Sequence, residues 1–166
     1  MHAPAVAFRR ATQSDLPAVQ AIVGAALAEY GLRLLLESSD VDLTDVERHY
    51  DARGGCLELI EGPAGERLGV LGWRPAGETA ELKKLYLTPA ARGRGIGRLA
   101  LDRTVARARA AGCGAVVLET AAVLSEANRL YTRYGFRPVR GRDAGSFARL
   151  SEECDLAYRL DLAIPM

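Results

Sequence analysis

Glycine and arginine alternate in one short stretch of this chain, from Arg92 to Arg98. The stretch reads RGRGIGR; an apolar segment precedes it, and a long segment rich in alanine and arginine follows it. This order is typical of a strand, a turn and the start of a helix. Glycines leave the backbone bare, and the free N–H groups and dipole of a helix N-terminus attract anions. The stretch therefore predicts a site for a phosphate-rich ligand, with a plain turn carrying solvated arginines as the alternative.

Two known phosphate-binding patterns differ from this stretch. A P-loop requires Gly-Lys-Ser/Thr, whereas Gly97 is followed by Arg-Leu, so a nucleoside triphosphatase is not expected. The dinucleotide fingerprint requires G-x-G-x-x-G, whereas the glycines here follow G-x-G-x-G, with the third one residue early. Glu119 ends the next predicted strand, where a ribose-binding acid would stand. Dinucleotide binding therefore stays open as an alternative.

Two segments together resemble the acetyl-CoA-binding motifs of the GNAT superfamily of N-acetyltransferases. Arg92-x-x-Gly95-x-Gly97 is similar to the Arg/Gln-x-x-Gly-x-Gly/Ala motif of its pyrophosphate loop, and SEANRLYTRYGF, residues 125–136, is similar to a second motif. The resemblance implies one GNAT domain over residues 1–166, with acetyl-CoA as the co-substrate. The implied cofactor-binding residues are Leu85, Tyr86, Leu87, Arg92, Gly93, Arg94, Gly95, Ile96, Gly97, Arg98 and Asn128.

The composition limits the class of protein. The chain has 166 residues, 49% of them apolar, and a formal net charge of +1. These values suit one globular domain and give no reason to expect nucleic acid or a membrane as a partner. No apolar run approaches the about 20 residues of a membrane span, and MHAPAVAFRR lacks the order of a signal peptide. We therefore expect a cytoplasmic protein. The resemblance implies that it acts on an amine, either of a small molecule or of a peptide. Dimers are common in the GNAT family, so a homodimer is a further expectation.

Cysteine and histidine give no sign of a metal site. Cys56, Cys113 and Cys154 lie beside apolar runs without C-x-x-C spacing, so buried free thiols are predicted. The two histidines, His2 and His49, are not spaced as metal ligands. We therefore predict no metal.

Apolar periodicity predicts an α/β domain with elements in the order β-α-α-β-β-β-α-β-α-β-β, which is also the GNAT order. Three consecutive strands joined by short turns indicate an antiparallel meander, so we expect a mixed, mostly antiparallel sheet flanked by helices. The segment 31–42 has no clear period; it is a surface loop, a helix extension or part of the acceptor-binding wall. The predicted strands are 5–11, 56–60, 67–74, 82–87, 115–119, 136–139 and 154–162, and the main helices are 16–30, 95–111 and 125–134.

The strand before the glycine-rich turn breaks its own alternation. Ala80 and Leu82 share one face, but the next apolar residues, Leu85 and Leu87, are shifted by one position. A β-bulge at residues 83–84 would restore the pattern. The resemblance implies the same feature, because GNAT enzymes splay this strand from the next and bind the pantetheine arm between them. A strand buried on both faces at its end is the alternative.

The reaction implied by the resemblance is direct transfer of an acetyl group from acetyl-CoA to an amine. Glu81, on the site strand, is the candidate base, or else a partner for Lys83 or Lys84. Tyr131, at the tyrosine of the second motif, is the candidate acid for the departing thiolate. It also belongs to a helical apolar stripe, so core packing is its alternative. Asn128 contacts CoA or lies on the exposed helix face. A non-catalytic acyl-CoA sensor stays open as a second function.

Overall fold

The computed structural model describes residues 4–163 and places seven strands in one sheet. The sheet order is β1-β2-β3-β4-β5-β7-β6, and all neighbours are antiparallel except β4 and β5. The predicted element order and the mixed, mostly antiparallel sheet are confirmed. The strands are β1 (Ala7–Arg10), β2 (Cys56–Glu61), β3 (Arg67–Ala76), β4 (Thr79–Leu87), β5 (Ala115–Thr120), β6 (Arg137–Val139) and β7 (Leu156–Asp161), and the helices are α1 (Leu16–Ala28), α2 (Val46–His49), α3 (Ile96–Ala110) and α4 (Ser125–Tyr134).

The hairpin between β3 and β4 corrects two predicted boundaries. The predicted strands 67–74 and 82–87 are too short where they meet, because β3 continues to Ala76, which pairs with Thr79 at the start of β4. The connection is therefore the two residues Gly77 and Glu78. Gly77 has φ 63°, the left-handed conformation that two-residue hairpins need and that glycine adopts without a Cβ clash. The short turn brings β4 back along β3 over its full length.

Helices cover both faces of the sheet and form separate cores. The residues of α3 that are buried recur three and four positions apart, as a helix packed on a sheet requires. Together with α4 they cover the face that carries Leu82, Leu85 and Leu87 of β4. On the opposite face, α1, α2 and the segment 31–43 pack over β2, β3 and Tyr86. The buried residues of α3 are Ile96, Gly97, Ala100, Leu101, Thr104, Val105 and Ala108.

One buried carboxylate fixes α3 on the sheet. Glu58 of β2 is 2% exposed and accepts hydrogen bonds from Arg103 at 2.9 and 2.7 Å and from Arg107 at 2.7 and 3.0 Å. Burial raises the pKa of Glu58, but the two arginines outweigh it and hold this pKa below its ordinary value. Paired charge-assisted hydrogen bonds are strong and directional. Because they hold two successive turns of α3, they also set where the helix begins.

The predicted bulge in β4 is confirmed. Gly72 of β3 pairs with Lys84, and the next residue, Trp73, pairs with Leu82, so Lys83 is the extra residue. The register shift moves Leu85 onto the α3 face with Leu82, and it leaves Lys84 on the opposite face. The bulge therefore decides which side chains of β4 face each side of the sheet.

The parallel pair β4 and β5 is joined over a short length. Within residues 4–163, the register between them runs only from Thr79–Ala115 to Glu81–Val117. Beyond this point, β5 continues alongside β7 up to Thr120. The end of β4, residues 82–87, therefore pairs with β3 on one edge and leaves its other edge open.

Candidate active site

A cavity of about 570 Å³ lies where β4 and β5 separate. Its walls come from the ends of α1, β4 and β5, the turn before α3, one face of α4, the segment 30–40 and the segment 151–154. Leu85, Tyr86 and Leu87, all predicted site residues, are among the lining residues. The cavity therefore joins the strand end and the turn that the sequence singled out.

Glycine occupies Gly93, Gly95 and Gly97 for two different physical reasons. Gly93 and Gly95 have φ 72° and 79°, and a Cβ at either would meet nothing within 4 Å. Their backbone conformation is what requires glycine there. Gly97 lies inside α3, where a Cβ would stand 2.8 Å from Cδ2 of Leu130. Gly97 therefore permits close packing of α3 on α4, a function that the sequence pattern did not indicate.

The turn places the start of α3 at the cavity wall. Gly95 is the residue before the first helical position, and the first N–H groups of an α-helix have no carbonyl partner within the helix. Gly93, Gly95, Ile96, Gly97 and Arg98 all line the cavity. The arrangement can bind an anion through the backbone.

Arginines surround the same end of the cavity. Arg92 and Arg98 line it as predicted, whereas Arg94 is exposed and does not. Arg129 and Arg133 of α4 also line it. Sequence reasoning missed these two, although their four-residue spacing on one helix face was the available signal.

Arg92 also ties two elements together. Its guanidinium donates to both carboxylate oxygens of Glu29, at 2.9 and 2.5 Å, and to the carbonyl of Leu87 at 3.1 Å. Glu29 directly follows the last residue of α1, and Leu87 is the last residue of β4. Arg92 therefore holds the end of α1 against the end of the site strand.

Tyr131 lies at the cavity wall and within the core. It is 6% exposed and lines the cavity, and its ring centroid is 5.8 Å from that of Phe136 and 6.2 Å from that of Tyr158. Burial raises the pKa of its hydroxyl well above the ordinary value. The phenol is therefore protonated at neutral pH. The ring contacts support the core-packing alternative from the sequence, and the acid role of Tyr131 stays a prediction.

Glu81 is buried in an ion pair beside the cavity. Its Oε2 accepts from Nε of Arg74 at 3.0 Å, and Arg74 also donates to the carbonyl of His49. The alternative partners, Lys83 and Lys84, are wrong: Lys84 binds other carboxylates, and Lys83 lies over the ring of Phe147. Glu81 is not among the cavity-lining residues. A proton path between Glu81 and the cavity would therefore run through water.

Asn128 holds the loop that precedes α4. Its Nδ2 donates to the carbonyls of Ala121 at 2.9 Å and Ala122 at 3.3 Å. Its Oδ1 is buried and has no hydrogen-bond partner among residues 4–163. The side chain is half-buried rather than exposed on the helix face, and it is not among the cavity-lining residues.

A buried lysine anchors the segment 31–43 to β4. Nζ of Lys84 donates to Asp40 at 2.6 Å and lies 3.4 Å from Oδ1 of Asp42. The hydroxyl of Tyr50 donates to the other oxygen of Asp42, and Leu35 N–H donates to Asp40. Burial lowers the pKa of Lys84, but the two carboxylates outweigh it and raise this pKa. Lys84 is therefore charged.

The segment 31–42 lines the cavity from one side. Leu32, Ser39 and Asp40 are lining residues, so the interpretation as a cavity wall is supported by their position. Outside the short turn 41–43 the segment is irregular, so a helix extension is wrong. On the exposed side, Ser38 donates to Glu152 at 3.3 Å and joins this segment to the loop before β7.

The loop before β7 lines the opposite side. Glu119, at the end of β5, accepts from Ser151 N–H at 2.9 Å and from its hydroxyl at 2.6 Å. Cys154 also lines the cavity and is half-buried, whereas Cys56 and Cys113 are buried. All three thiols are free, as predicted, but the prediction of full burial is wrong for Cys154.

Comparison with known proteins identifies the family. The sequence profile of the Acetyltransferase (GNAT) family matches residues 23–136, more than half of the chain. The chain belongs to the GNAT family. The uncharacterized N-acetyltransferase YjgM of Escherichia coli strain K12 is 32% identical to this GNAT chain over 138 residues, which cover 80% of this chain and 82% of that protein. The resemblance stated from residues 92–97 and 125–136 is therefore confirmed.

Solved structures establish the GNAT fold. A GNAT acetyltransferase from Staphylococcus aureus Mu50 has a TM-score of 0.86 at 19% identity, covering 96% of this chain and 100% of that chain. The structure of yncA from Salmonella typhimurium, with its cofactor acetyl-CoA, has a TM-score of 0.67 at 21% identity, covering 96% of this chain and 95% of that chain. The predicted fold is confirmed.

Two further features are absent from the described part of this GNAT chain. Residues 4–163 contain no helix with the length and apolar character needed to cross a bilayer. The same residues contain no group of three or more His, Cys, Asp or Glu side chains placed to hold a metal ion. His2, considered above, lies outside the described residues.

Proposed function

We propose that this protein is an N-acetyltransferase that transfers the acetyl group of acetyl-CoA to a primary amine of a small molecule or peptide by direct attack. The observation that carries the proposal is one continuous cavity, which joins the glycine-rich turn, the open edge of β4 and Tyr131. Family membership supports the same reaction. The expected cytoplasmic location, the homodimer and the single domain over residues 1–166 stay predictions.

The cavity offers separate places for the parts of CoA. The pyrophosphate would bind the backbone N–H groups of residues 93–98, within reach of the arginines of α3 and α4. The pantetheine arm would lie along Leu85 to Leu87 and pair with the open edge of β4, as an added strand does. Asn128 is not among the cavity-lining residues, so its predicted contact with CoA requires its buried Oδ1, which has no partner within residues 4–163, to become accessible to the ligand.

The chemistry needs proton transfers at both ends of the reaction and one stabilised charge. The acceptor ammonium loses a proton, by way of water to Glu81, and its neutral nitrogen then attacks the thioester carbon. A backbone N–H near Leu85 stabilises the oxyanion of the tetrahedral intermediate. As the C–S bond breaks, the CoA thiolate takes the hydroxyl proton of Tyr131, and the second proton of the attacking nitrogen restores the phenol. Burial raises the pKa of Tyr131 above the ordinary value of about 10, but it destabilises a thiolate formed in the same cavity for the same reason, so the proton moves late in the reaction.

A binding comparison tests the co-substrate. Acetyl-CoA at a hundred times its Kd should stabilise the protein by about 2.7 kcal/mol through mass action. NAD, at equal concentration, should leave the melting temperature unchanged. Differential scanning fluorimetry measures both. A rise in Tm with NAD and none with acetyl-CoA would reverse the assignment in favour of dinucleotide binding.

Release of free CoA thiol separates an enzyme from an acyl-CoA sensor. We expect thiol release from acetyl-CoA to depend on added amine, because the acetyl group must move to a nucleophile. Tyr131 at the cavity wall favours turnover over sensing. Tight acetyl-CoA binding without amine-dependent thiol release across a broad amine panel would favour the sensor.

The turn conformation gives a site-specific prediction for CoA affinity. Gly95→Val places a branched side chain at a left-handed position on the cavity wall, so CoA affinity should fall by at least about tenfold. Isothermal titration measures the Kd. Gly95 is a cleaner choice than Gly97, because a side chain at Gly97 would also push against Leu130.

Arg94→Ala is the matched control for this turn. Arg94 is exposed and does not line the cavity, so its loss removes only a screened charge and should change Kd by less than about threefold. A folded Gly95→Val variant with wild-type CoA affinity would contradict backbone binding of the pyrophosphate.

A further inference from the structure

The cavity has opposite charge on the two faces of the sheet. On the α3 and α4 face, the lining residues include four arginines and Glu126. On the other face, the charged lining residues are Asp40, Lys83, Lys84, Glu119 and Glu153. The first face suits a polyanion such as a nucleotide phosphate. The second face is called the acceptor side from here on. It consists of these five charged residues together with Cys154, Ala26, Leu27, Leu32 and Tyr86.

Carboxylates outnumber cations on the acceptor side. Lys84 lies between Asp40 and Asp42, whose two negative charges exceed its one positive charge. The Lys83 ammonium lies 5.6 Å from the centroid of the neutral Phe147 ring, and within residues 4–163 it has no ion-pair partner. An incoming carboxylate therefore meets no arginine on this side of the described cavity, and one lysine against two unpaired carboxylates, Glu119 and Glu153.

Two carboxylates on the acceptor side, Glu119 and Glu153, can still form an ion pair with a ligand. Glu119 accepts hydrogen bonds only from Ser151, a neutral residue, and within residues 4–163 neither Glu119 nor Glu153 has an ion-pair partner. The charge of Glu119 reaches the cavity interior: after burial itself, it helps to raise the pKa of the Cys154 thiol to about 11. Glu119 also acts in the same direction on the buried hydroxyl of Tyr86. The acceptor side is therefore negative where a substrate would lie.

The remaining wall of the acceptor side is apolar. Its residues come from the last turn of α1, the segment that follows and β4. They form a surface that an aliphatic or aromatic body can cover, and water released from it favours binding. These residues are Ala26, Leu27, Leu32 and Tyr86.

Building on the acetyltransferase function proposed above, we propose that the acceptor is a small primary amine that binds as a cation, with an apolar body and no carboxylate or phosphate beside the amine. Its ammonium lies towards Glu119, and its body covers the apolar wall. An anionic group next to the amine would be placed near Glu119 and Glu153, with the single Lys83 ammonium against these two unpaired carboxylates, and like charges brought together disfavour binding.

A matched substrate series tests this proposal. 2-Phenylethylamine and phenylalanine have the same aromatic body and differ by one carboxylate, and phenylalaninamide keeps the size without the charge. We expect kcat/KM for 2-phenylethylamine to exceed that for phenylalanine by at least about tenfold. The kcat/KM for phenylalaninamide should be closer to the value for 2-phenylethylamine than to the value for phenylalanine. Equal values, or a preference for phenylalanine, would overturn the proposal.

Glu119→Gln tests which residue creates the preference. The variant keeps the shape of the side chain and removes one negative charge. The ratio of kcat/KM for 2-phenylethylamine to kcat/KM for phenylalanine should therefore fall by at least about fivefold. Glu47→Gln removes the same charge from an exposed position on α2 and should leave the ratio unchanged. Equal ratios in wild type and Glu119→Gln would exclude Glu119 as the source of the preference.

Binding to the enzyme with CoA keeps this test independent of turnover. Titration of both compounds into the protein saturated with CoA should give the lower Kd for 2-phenylethylamine. If that preference holds but neither compound is acetylated, the acetyltransferase proposal fails and the inference about the acceptor side stands. If amines are acetylated without the preference, the acetyltransferase function stands and the inference fails.

Discussion

Replacement of Tyr131 by phenylalanine lowers kcat by on the order of 10²-fold or more, if this hydroxyl protonates the departing CoA thiolate. The variant lacks the proton donor, which explains the lower kcat. It removes only one oxygen and leaves the ring packed against Phe136 and Tyr158. The fold and the affinity for acetyl-CoA should therefore be close to wild type. Single-turnover kinetics measures the rate constant of the chemical step, which equals kcat where chemistry limits the rate.

Tyr134→Phe is the matched control for Tyr131. Tyr134 is on the same helix, and its hydroxyl donates to Asp102 at 2.7 Å. Loss of the Tyr134 hydroxyl should lower the free energy of unfolding slightly and leave the rate of the chemical step within about threefold of wild type. A Tyr131→Phe variant that retains wild-type kcat in the same assay would remove this hydroxyl from the mechanism.

Replacement of Lys84 by methionine should give the largest loss of stability of any single change described for this protein. Methionine fills most of the lysine volume but leaves Asp40 and Asp42 buried without their cation. Removing one partner of a buried ion pair typically costs about 3–5 kcal/mol. Chemical denaturation should show this loss as a lower midpoint with a similar slope.

Neutralising the acids separates charge from packing. In the triple variant Lys84→Met, Asp40→Asn and Asp42→Asn, the uncompensated charges are absent, so a large part of the lost stability should return. Lys83→Met serves as a control on the adjacent residue, whose ammonium contacts a ring rather than a carboxylate. If Lys84→Met alone is as stable as wild type, the buried cluster does not hold the segment 31–43.

Features that depend on neighbouring residues were predictable from the sequence. The β4 bulge follows from a one-residue shift in alternation, and alternation is a local consequence of strand geometry. The element order follows in the same way from helical and strand periods. The turn before α3 follows from glycines at a strand-to-helix junction, because only a few conformations fit there.

Features that depend on distant residues were not predictable in this way. Lys84 and Asp40 are 44 positions apart, and nothing in either local pattern identifies the other as its partner. Glu81 was paired with the wrong residues for a different reason: its partner Arg74 is near in the sequence, but their contact depends on the exact register of the β3–β4 hairpin. Gly97 is a third case, because its contact is with Leu130 on another helix.

The separation of β4 from β5 also bears on how the molecule can move. Strands β1 to β4 form one half of the sheet and β5, β7 and β6 the other, and within residues 4–163 the backbone register joins the halves only at residues 79–81 and 115–117. A small rotation about those three pairs would widen or narrow the cavity while every strand pair within each half stays intact. The hydrogen bond from Ser38 to Glu152 joins loops on the two sides of the opening, so it opposes such a rotation.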